Sequence, residues 1–334
     1  MKKYDKNHIG RMMKDWYDHF IEALYKKYPK KSQLSAALMD LLSIERESAY
    51  RRLRKKIMFT PNEISKIAST WNIPMDEIIG TTFSKVIFQL YLIDYLAPSD
   101  ADMDFVRQRV AWLEQVKDVP NSEHIVVCNN LSSRSLSAGF SNLHKFNIFK
   151  WAYQYSDSHN EDLNMTFADT IIPEKLLQEV AVYYQCIKHI KNTTYILDSV
   201  IFDSFVRDIQ FFHSIFLITD EEKKMLKKEL HALLDYLLRI ANTGCFPETG
   251  NKVFLYVSIL NINTNYSYFY NGKMETFRIH AFNMFDGIIS NVEMVQKFKK
   301  WILKKKKTSI KISEADERNR IQFFMKQRSI IDSL

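Results

Sequence analysis

Between Gln33 and Lys55 the chain gathers side chains that hydrogen-bond in fixed geometry: Gln33, Glu47, Ser48, Tyr50, Arg51, Arg52, Arg54 and Lys55. Guanidinium forks and short polar groups in such density suit phosphates and base edges, so the chemistry they offer is recognition of a nucleic acid, with no bond made or broken. From Lys30 to Lys56 eight Lys or Arg stand against Asp40, Glu45 and Glu47, a surplus of five in a chain of formal net charge +8. The basic excess is therefore local. A solvated face of a surface helix can carry the same charges, but the place of RRLRKK, after a short turn and before a capped helix, favours DNA.

The elements that must position these residues follow from spacing. Leu34, Leu38, Leu41 and Leu42 recur at three to four residues and lay one stripe along a helix. Ser43 and Ile44 interrupt the period, and a second helix opens near Glu45 in which Ala49 and Leu53, four apart, share a face. With that face inward, a turn of about 100° per residue sends Glu47, Arg51, Arg54 and Lys55 outward and leaves Ser48, Tyr50 and Arg52 on the flanks. Thr60 then reads as an N-cap before Pro61, with Ile64, Ile67, Ala68 and Trp71 as a third apolar stripe and Pro74 opening a further short turn. Upstream, Trp16, Phe20 and Leu24, with Tyr17 and Ile21, predict a first helix over 12–28 that ends at Pro29, its aromatics serving as core.

Two segments, SAYRRLR (Ser48 to Arg54) and FTPNEISKIASTWNIPMDEII, resemble those of Cro and lambda-repressor-like helix-turn-helix regulators, in particular a group of Bacteroidetes regulators with a BetR-like N-terminal domain. The likeness runs from about Trp16 to Gly80. It implies that Ser48 to Arg54 forms the recognition helix and that the second segment completes the bundle. Ser43 stands where many such motifs carry glycine, which the fold tolerates if Ser43 adopts a left-handed or turn conformation. HKFNIFKW, TNYSYF and RIQFFMKQRSIID are similar to segments of the same regulators' C-terminal regions, which implies a shared layout and no mechanism.

At 334 residues and 39.6 kDa the chain suits more than one domain. The division expected is a DNA-binding domain over 1–80 and a regulatory or oligomerisation domain over 84–334, with a change of texture near 244–250. Apolar patterns over 86–96 and 105–116 predict two helices, His124 to Cys128 a short strand, and Phe140 to Tyr155 a helix. Pro173 to Lys188, Tyr195 to Phe216 and Asp220 to Ala241 predict three more helices, the last opened by a Thr219/Glu222 capping box. Beyond Lys252 apolar and polar residues alternate, and Asn271-Gly272 between two such runs predicts a hairpin. A helix over 292–303 comes next, and Ser313 with Asp316 opens a last helix through Ile331. The fold class expected is mainly α: an N-terminal lambda-repressor-like bundle, then a larger, mostly helical α+β domain with a small antiparallel hairpin.

Other chemistry finds little footing. Cys128, Cys186 and Cys245 form no CxxC and suggest neither disulfides nor zinc. The nine histidines form no HExxH, no Ser occupies a GxSxG elbow, and the seven glycines form neither a P-loop nor GxGxxG. Asp203, Arg207, Asp208 and His213 read as pairs along one helix. No catalytic residue, cofactor or metal is expected, and the chain is not expected to be an enzyme. No run reaches the roughly 18 apolar residues of a membrane span, nor has the N-terminus a secretory core, so cytoplasmic localisation is the expectation. The basic run Lys297 to Lys307 is open to three readings, a solvated helix end (favoured), a second phosphate patch or a lipid-facing surface, with Trp301 packing inward. The partners expected are double-stranded DNA, a second copy of the chain, and an unidentified small-molecule effector or protein. The competing reading is a protein-interaction or ligand-binding module whose N-terminal bundle no longer binds DNA.

Overall fold

Among the described residues the apolar stripes of the first part of the chain form the helices α1 (Lys6–Lys27), α2 (Lys31–Leu42), α3 (Arg46–Leu53) and α4 (Pro61–Trp71). The computed structural model describes residues 6–71, 73, 75, 78, 88–117, 119–155, 165–281, 284–289 and 291–334. It divides into two compact units, Met1–Ile87 and Phe88–Leu334. In the first unit Phe20, Leu24, Leu34, Leu38, Ala49 and Ile67 are wholly buried in one core, closed by Leu53, Phe59 and Trp71. Ser43 ends α2 in the left-handed conformation, φ 54° and ψ 46°, its N–H donating to the Met39 carbonyl, and so does without glycine at the turn. Pro74 lies outside the described residues.

The second unit is not the mostly helical domain with a small hairpin that its sequence predicts. It is built on an eight-stranded mixed sheet in the order β1-β7-β6-β5-β2-β3-β4-β8. The strands are β1 (Gln89–Leu90), β2 (Glu123–Cys128), β3 (Asn192–Leu197), β4 (Lys252–Ser258), β5 (Tyr266–Tyr270), β6 (Glu275–Ala281), β7 (Phe285–Ile289) and β8 (Ser309–Lys311). Strands β2, β3 and β4 run parallel at the centre, and every other pairing is antiparallel. Strand β3 opens on Asn192, Thr193 and Thr194, and only its end, Tyr195 to Leu197, is apolar, which is why that end merged with the residues after it into one helical pattern over 195–216. The helix in that region is shorter, Asp203–Ser214. The run 88–96 holds β1 and irregular chain where a helix was expected.

Between and after the strands lie α5 (Asp100–Glu114), α6 (Arg134–Ser137), α7 (Ser141–Tyr155), α8 (Glu174–Lys188), α9 (Asp203–Ser214), α10 (Asp220–Thr243), α11 (Val292–Lys307) and α12 (Glu317–Asp332). Thr219 and Glu222 form the capping box of α10, and Ser99 with Asp102 forms another on α5. The N-cap of α12 is Asp316 rather than Ser313. The Ser313 hydroxyl is buried and accepts from the Leu255 N–H at 3.1 Å. The β5–β6 hairpin turns on Asn271 and Gly272: the Asn271 carboxamide accepts from the N–H groups of Lys273 and Met274, and Gly272 takes φ 89°.

One sheet face is covered by most of the helices. Val126, Tyr195, Leu197, Val253 and Leu255 meet Phe146, Phe205, Leu233 and Phe324 in the largest core. The other face is crossed by α11, whose Val295 and Ile302 are buried. Cys128 and Cys186 are buried and free, Cys245 is half-buried and free, and burial pushes the Cys128 thiol up to about 12, which makes it inert.

Under α5 the helical face also holds charge. The Arg109 guanidinium donates to Asp286, which pairs with His280 Nδ1 at 2.6 Å, and Arg278 lies over the Trp112 ring. His124 is buried beside them against Phe269. Burial, then the Arg278 and His280 charges, push the His124 pKa down from 6.5 to about 3. Between those values the unfolded chain binds a proton that the native state refuses, so stability falls as pH drops through that window. His124→Leu should therefore flatten the acid dependence by up to about 1.4 kcal/mol per pH unit while costing under about 1.5 kcal/mol at neutral pH. Urea denaturation of the full chain across this pH range checks it, and parallel curves for the two proteins would refute it.

Candidate nucleic-acid interface

Helix α3 has eight residues, and its direction is fixed by what its inner side touches. Ala49 and Leu53 are buried in the core of the first unit, while the backbone N–H of Phe59, just beyond the helix, donates to the Tyr17 hydroxyl of α1 at 3.0 Å. Arg52 adds a lock. Its Nη2 donates to Glu63 Oε1 at 2.7 Å and its Nε to Oε2 at 3.2 Å, a two-pronged grip on α4. Glu63 also accepts from the Thr60 N–H at 2.8 Å and Thr60 Oγ1 from the Glu63 N–H at 3.3 Å, so one carboxylate caps α4 and holds α3. Burial pushes the Glu63 pKa up, but the Arg52 guanidinium and the Thr60 bonds outweigh it and hold the carboxyl below its ordinary range.

The residues that the sequence assigned to DNA divide on this framework. Gln33 is exposed in the first turn of α2, whose N-cap, Lys30, makes no side-chain capping bond, while the Gln33 N–H donates to the Lys30 carbonyl at 3.0 Å. Glu47 and Arg51 are exposed, Ser48 and Tyr50 half-buried, all on α3. Arg54 is the C-cap residue, and Lys55, at φ 59°, lies past the helix end; both are exposed. Arg52 is committed to Glu63, with its side chain 14% exposed. Lys55 pairs with Asp18 of α1, both side chains about half exposed, an association weak enough to exchange for a phosphate.

Two cations escaped the sequence reading. Lys31 Nζ lies 5.5 Å and the Arg46 guanidinium 5.7 Å from the centre of the Tyr50 ring, with Arg54 at 6.0 Å. Arg46, Tyr50 and Arg54 recur at four residues, the signal that could have found Arg46, whereas Lys31, on α2, reaches the ring only through the fold. The Arg46 guanidinium holds the Tyr50 hydroxyl below its ordinary range, which sharpens it as a hydrogen-bond donor. Among the described residues no ion pair engages Lys31, Arg46, Arg51 or Arg54. Among those residues, too, no cluster of His, Cys, Asp or Glu could hold a metal ion, and no helix is long and apolar enough to cross a membrane.

Residues 22–88 match the BetR domain, a helix-turn-helix-type domain. The match takes in α2, α3 and α4 and ends where the second unit begins. A DNA-binding regulatory domain is what this points to. No curated protein and no solved structure matches the chain.

Arg52 and Arg51, neighbours in sequence, should behave oppositely. Arg52→Ala leaves Glu63 without its fork and should destabilise α3 by about 1–3 kcal/mol, read as faster amide exchange over 46–53 in the full chain. Arg51→Ala should leave that exchange within about 0.5 kcal/mol of the parent. Equal exchange in the two variants would contradict the division.

Proposed function

We propose that the protein is a sequence-specific transcription regulator of the Cro and lambda-repressor type, in which α3 enters the major groove of duplex DNA. One observation carries this reading: the outward side of α3 offers Arg51 to solvent, engaged in no ion pair among the described residues, beside the Tyr50 hydroxyl and its ring of cations. Arg51 is the base-reading fork, and Lys31, Arg46 and Arg54 grip phosphates. Glu47 and Ser48 flank the fork and shape its preference. The BetR match supports the assignment of residues 22–88 to DNA.

An eight-residue helix is about 12 Å long and addresses a few base pairs. The regulator therefore works as a homodimer, with two copies of α3 on half-sites about 34 Å apart. The second unit supplies dimerisation, effector sensing or both, and performs no catalysis. Its groove beside the carboxyl ends of β3 and β4, walled by Val257, Ile312 and Phe323 with Asn319, Gln322 and Lys326 on the rim, is the seat for a small effector with an apolar body and a polar head.

Selection of genomic fragments by the purified protein yields the operator, and footprinting on it should reveal two protected half-sites about one helical turn apart. On that operator Arg51→Ala should cost about 1–3 kcal/mol and relax the preference at one position of each half-site. Equal loss on all sequences would reassign Arg51 to phosphate, and no retention of any duplex at low salt would return the bundle to a docking role.

A further inference from the structure

From Lys297 to Lys307 the chain carries seven lysines and no acid. The fold splits them. Three turn toward the sheet: Lys299 Nζ donates to the Tyr268 hydroxyl at 2.7 Å and Glu275 at 3.0 Å, Lys305 Nζ donates to the Leu260 carbonyl at 3.1 Å, and Lys306 lies over the Phe254 and Tyr256 rings. The other four, Lys297, Lys300, Lys304 and Lys307, recur at three and four residues and are all exposed. Trp301 stands among them, 57% exposed rather than packed inward as its sequence context predicts. The Phe298 ring meets it edge-on at 5.1 Å, and the Lys297 ammonium lies 5.9 Å from its centre.

A solvated helix end accounts for part of this stripe. Lys304 and Lys307 fall in the last turn, where the helix dipole favours cations, but Lys297 and Lys300 do not. Like charges three and four apart weaken a helix, and no described ion pair relieves these four. An amphipathic lipid-binding helix needs an apolar side to insert. Most of the apolar side of α11 is spent on the sheet, with Val295 and Ile302 buried and Phe298 stacked on Phe277 at 4.3 Å, and the apolar groups left exposed, Val292, Trp301 and Leu303, are scattered along it and form no continuous inserting face. What α11 presents is a row of point charges about 15 Å long around one indole, and duplex DNA carries about nine phosphate charges over that length.

We propose that the exposed side of α11 is a second DNA contact, in which Lys297, Lys300, Lys304 and Lys307 bind the sugar-phosphate backbone without reading sequence. Trp301 lies flat against the sugar edge between them. Ammonium groups act here as charges and not as forks, so this surface adds affinity and salt dependence while specificity stays with α3. The inference rests on the DNA-binding reading of α3, and the experiment separates the two.

Binding of the full chain to its selected duplex and to a scrambled duplex is titrated by fluorescence anisotropy over a range of KCl, for the parent and for K297Q/K300Q/K304Q/K307Q. The variant should keep the parent's thermal transition. Its plot of log K against log salt should be shallower by about 0.9 for each phosphate no longer neutralised, up to about 3.6 for all four. Affinity should fall by the same factor on both duplexes. Equal slopes for parent and variant overturn the second DNA contact while leaving α3 intact. No binding of either duplex by the parent overturns the reading of α3 itself. Parent protein that sediments with phosphatidylserine vesicles, where the variant does not, alongside an unchanged DNA slope, assigns the stripe to lipid and likewise overturns it.

Discussion

A helix of eight residues has no stability of its own, since isolated helices below about 12–15 residues are marginal in water. Everything that the outer side of α3 can do depends on how its inner side is held. Ala49 and Leu53 supply apolar anchorage, and the Arg52–Glu63 fork supplies direction, because a two-pronged bond fixes orientation where a single bond would let the helix roll. The same carboxylate caps α4 through Thr60, which ties the start of one helix to the side of another. With the rotation of α3 fixed, Arg51 faces solvent and makes no ion pair among the described residues.

The second unit solves a different problem. Its sheet must be covered on both faces, and most of the helices share one of them while α11 crosses the other. The pairing register sets Phe277, Tyr268, Ile125, Thr194 and Phe254 in one row across the sheet on the α11 side. Phe298 stacks on the first of these, Lys299 reaches the second, and Lys306 spreads over the last. Long side chains let a single helix serve strands that lie far apart, because their methylene stems cover apolar surface while their ammonium groups find hydroxyl oxygens and ring faces.

How far the structure was legible in the sequence depends on the range of the interactions involved. Helical periods are local, so the stripes through Leu34, Leu38, Ala49 and Leu53 led to the right helices, and Asn271-Gly272 led to a real hairpin because turn chemistry is local too: the Asn271 carboxamide and the positive φ of Gly272 act within the four residues that join β5 to β6. Of the parallel strands, β2 and the start of β4 were legible, but β3 was not: its partners are remote, Thr193 pairing with His124 and Val253, and its apolar end, Tyr195 to Leu197, runs on into the apolar residues before α9. The side chains around α3 show the same limit. Rotation about the helix axis set Arg52 on a flank, but it gave no hint of Glu63 eleven residues on, nor that the helix stops at Leu53 and leaves Lys55 beyond it. Trp301 misled for a related reason: aromatic residues on a helix are usually core, yet Phe298 and Ile302 had already filled the sheet-facing side.

These cases share a rule about positive charge. A count from Lys30 to Lys56 yields a surplus of five, but it treats every cation alike, whereas the fold consumes some and leaves others. Arg52 is consumed by Glu63, and Lys299, Lys305 and Lys306 are consumed by the sheet and its loops. Burial enforces the difference, since a charge removed from water must find a partner while one left in water needs none. The residual cations are therefore clustered by the fold more sharply than by the sequence: Lys31, Arg46 and Arg54 meet around one tyrosine although they span α2 and the end of α3, and four of seven lysines on α11 align on one side. For a polyanionic ligand this alignment matters more than net charge, because counterions are released only where phosphates and ammonium groups are brought into register.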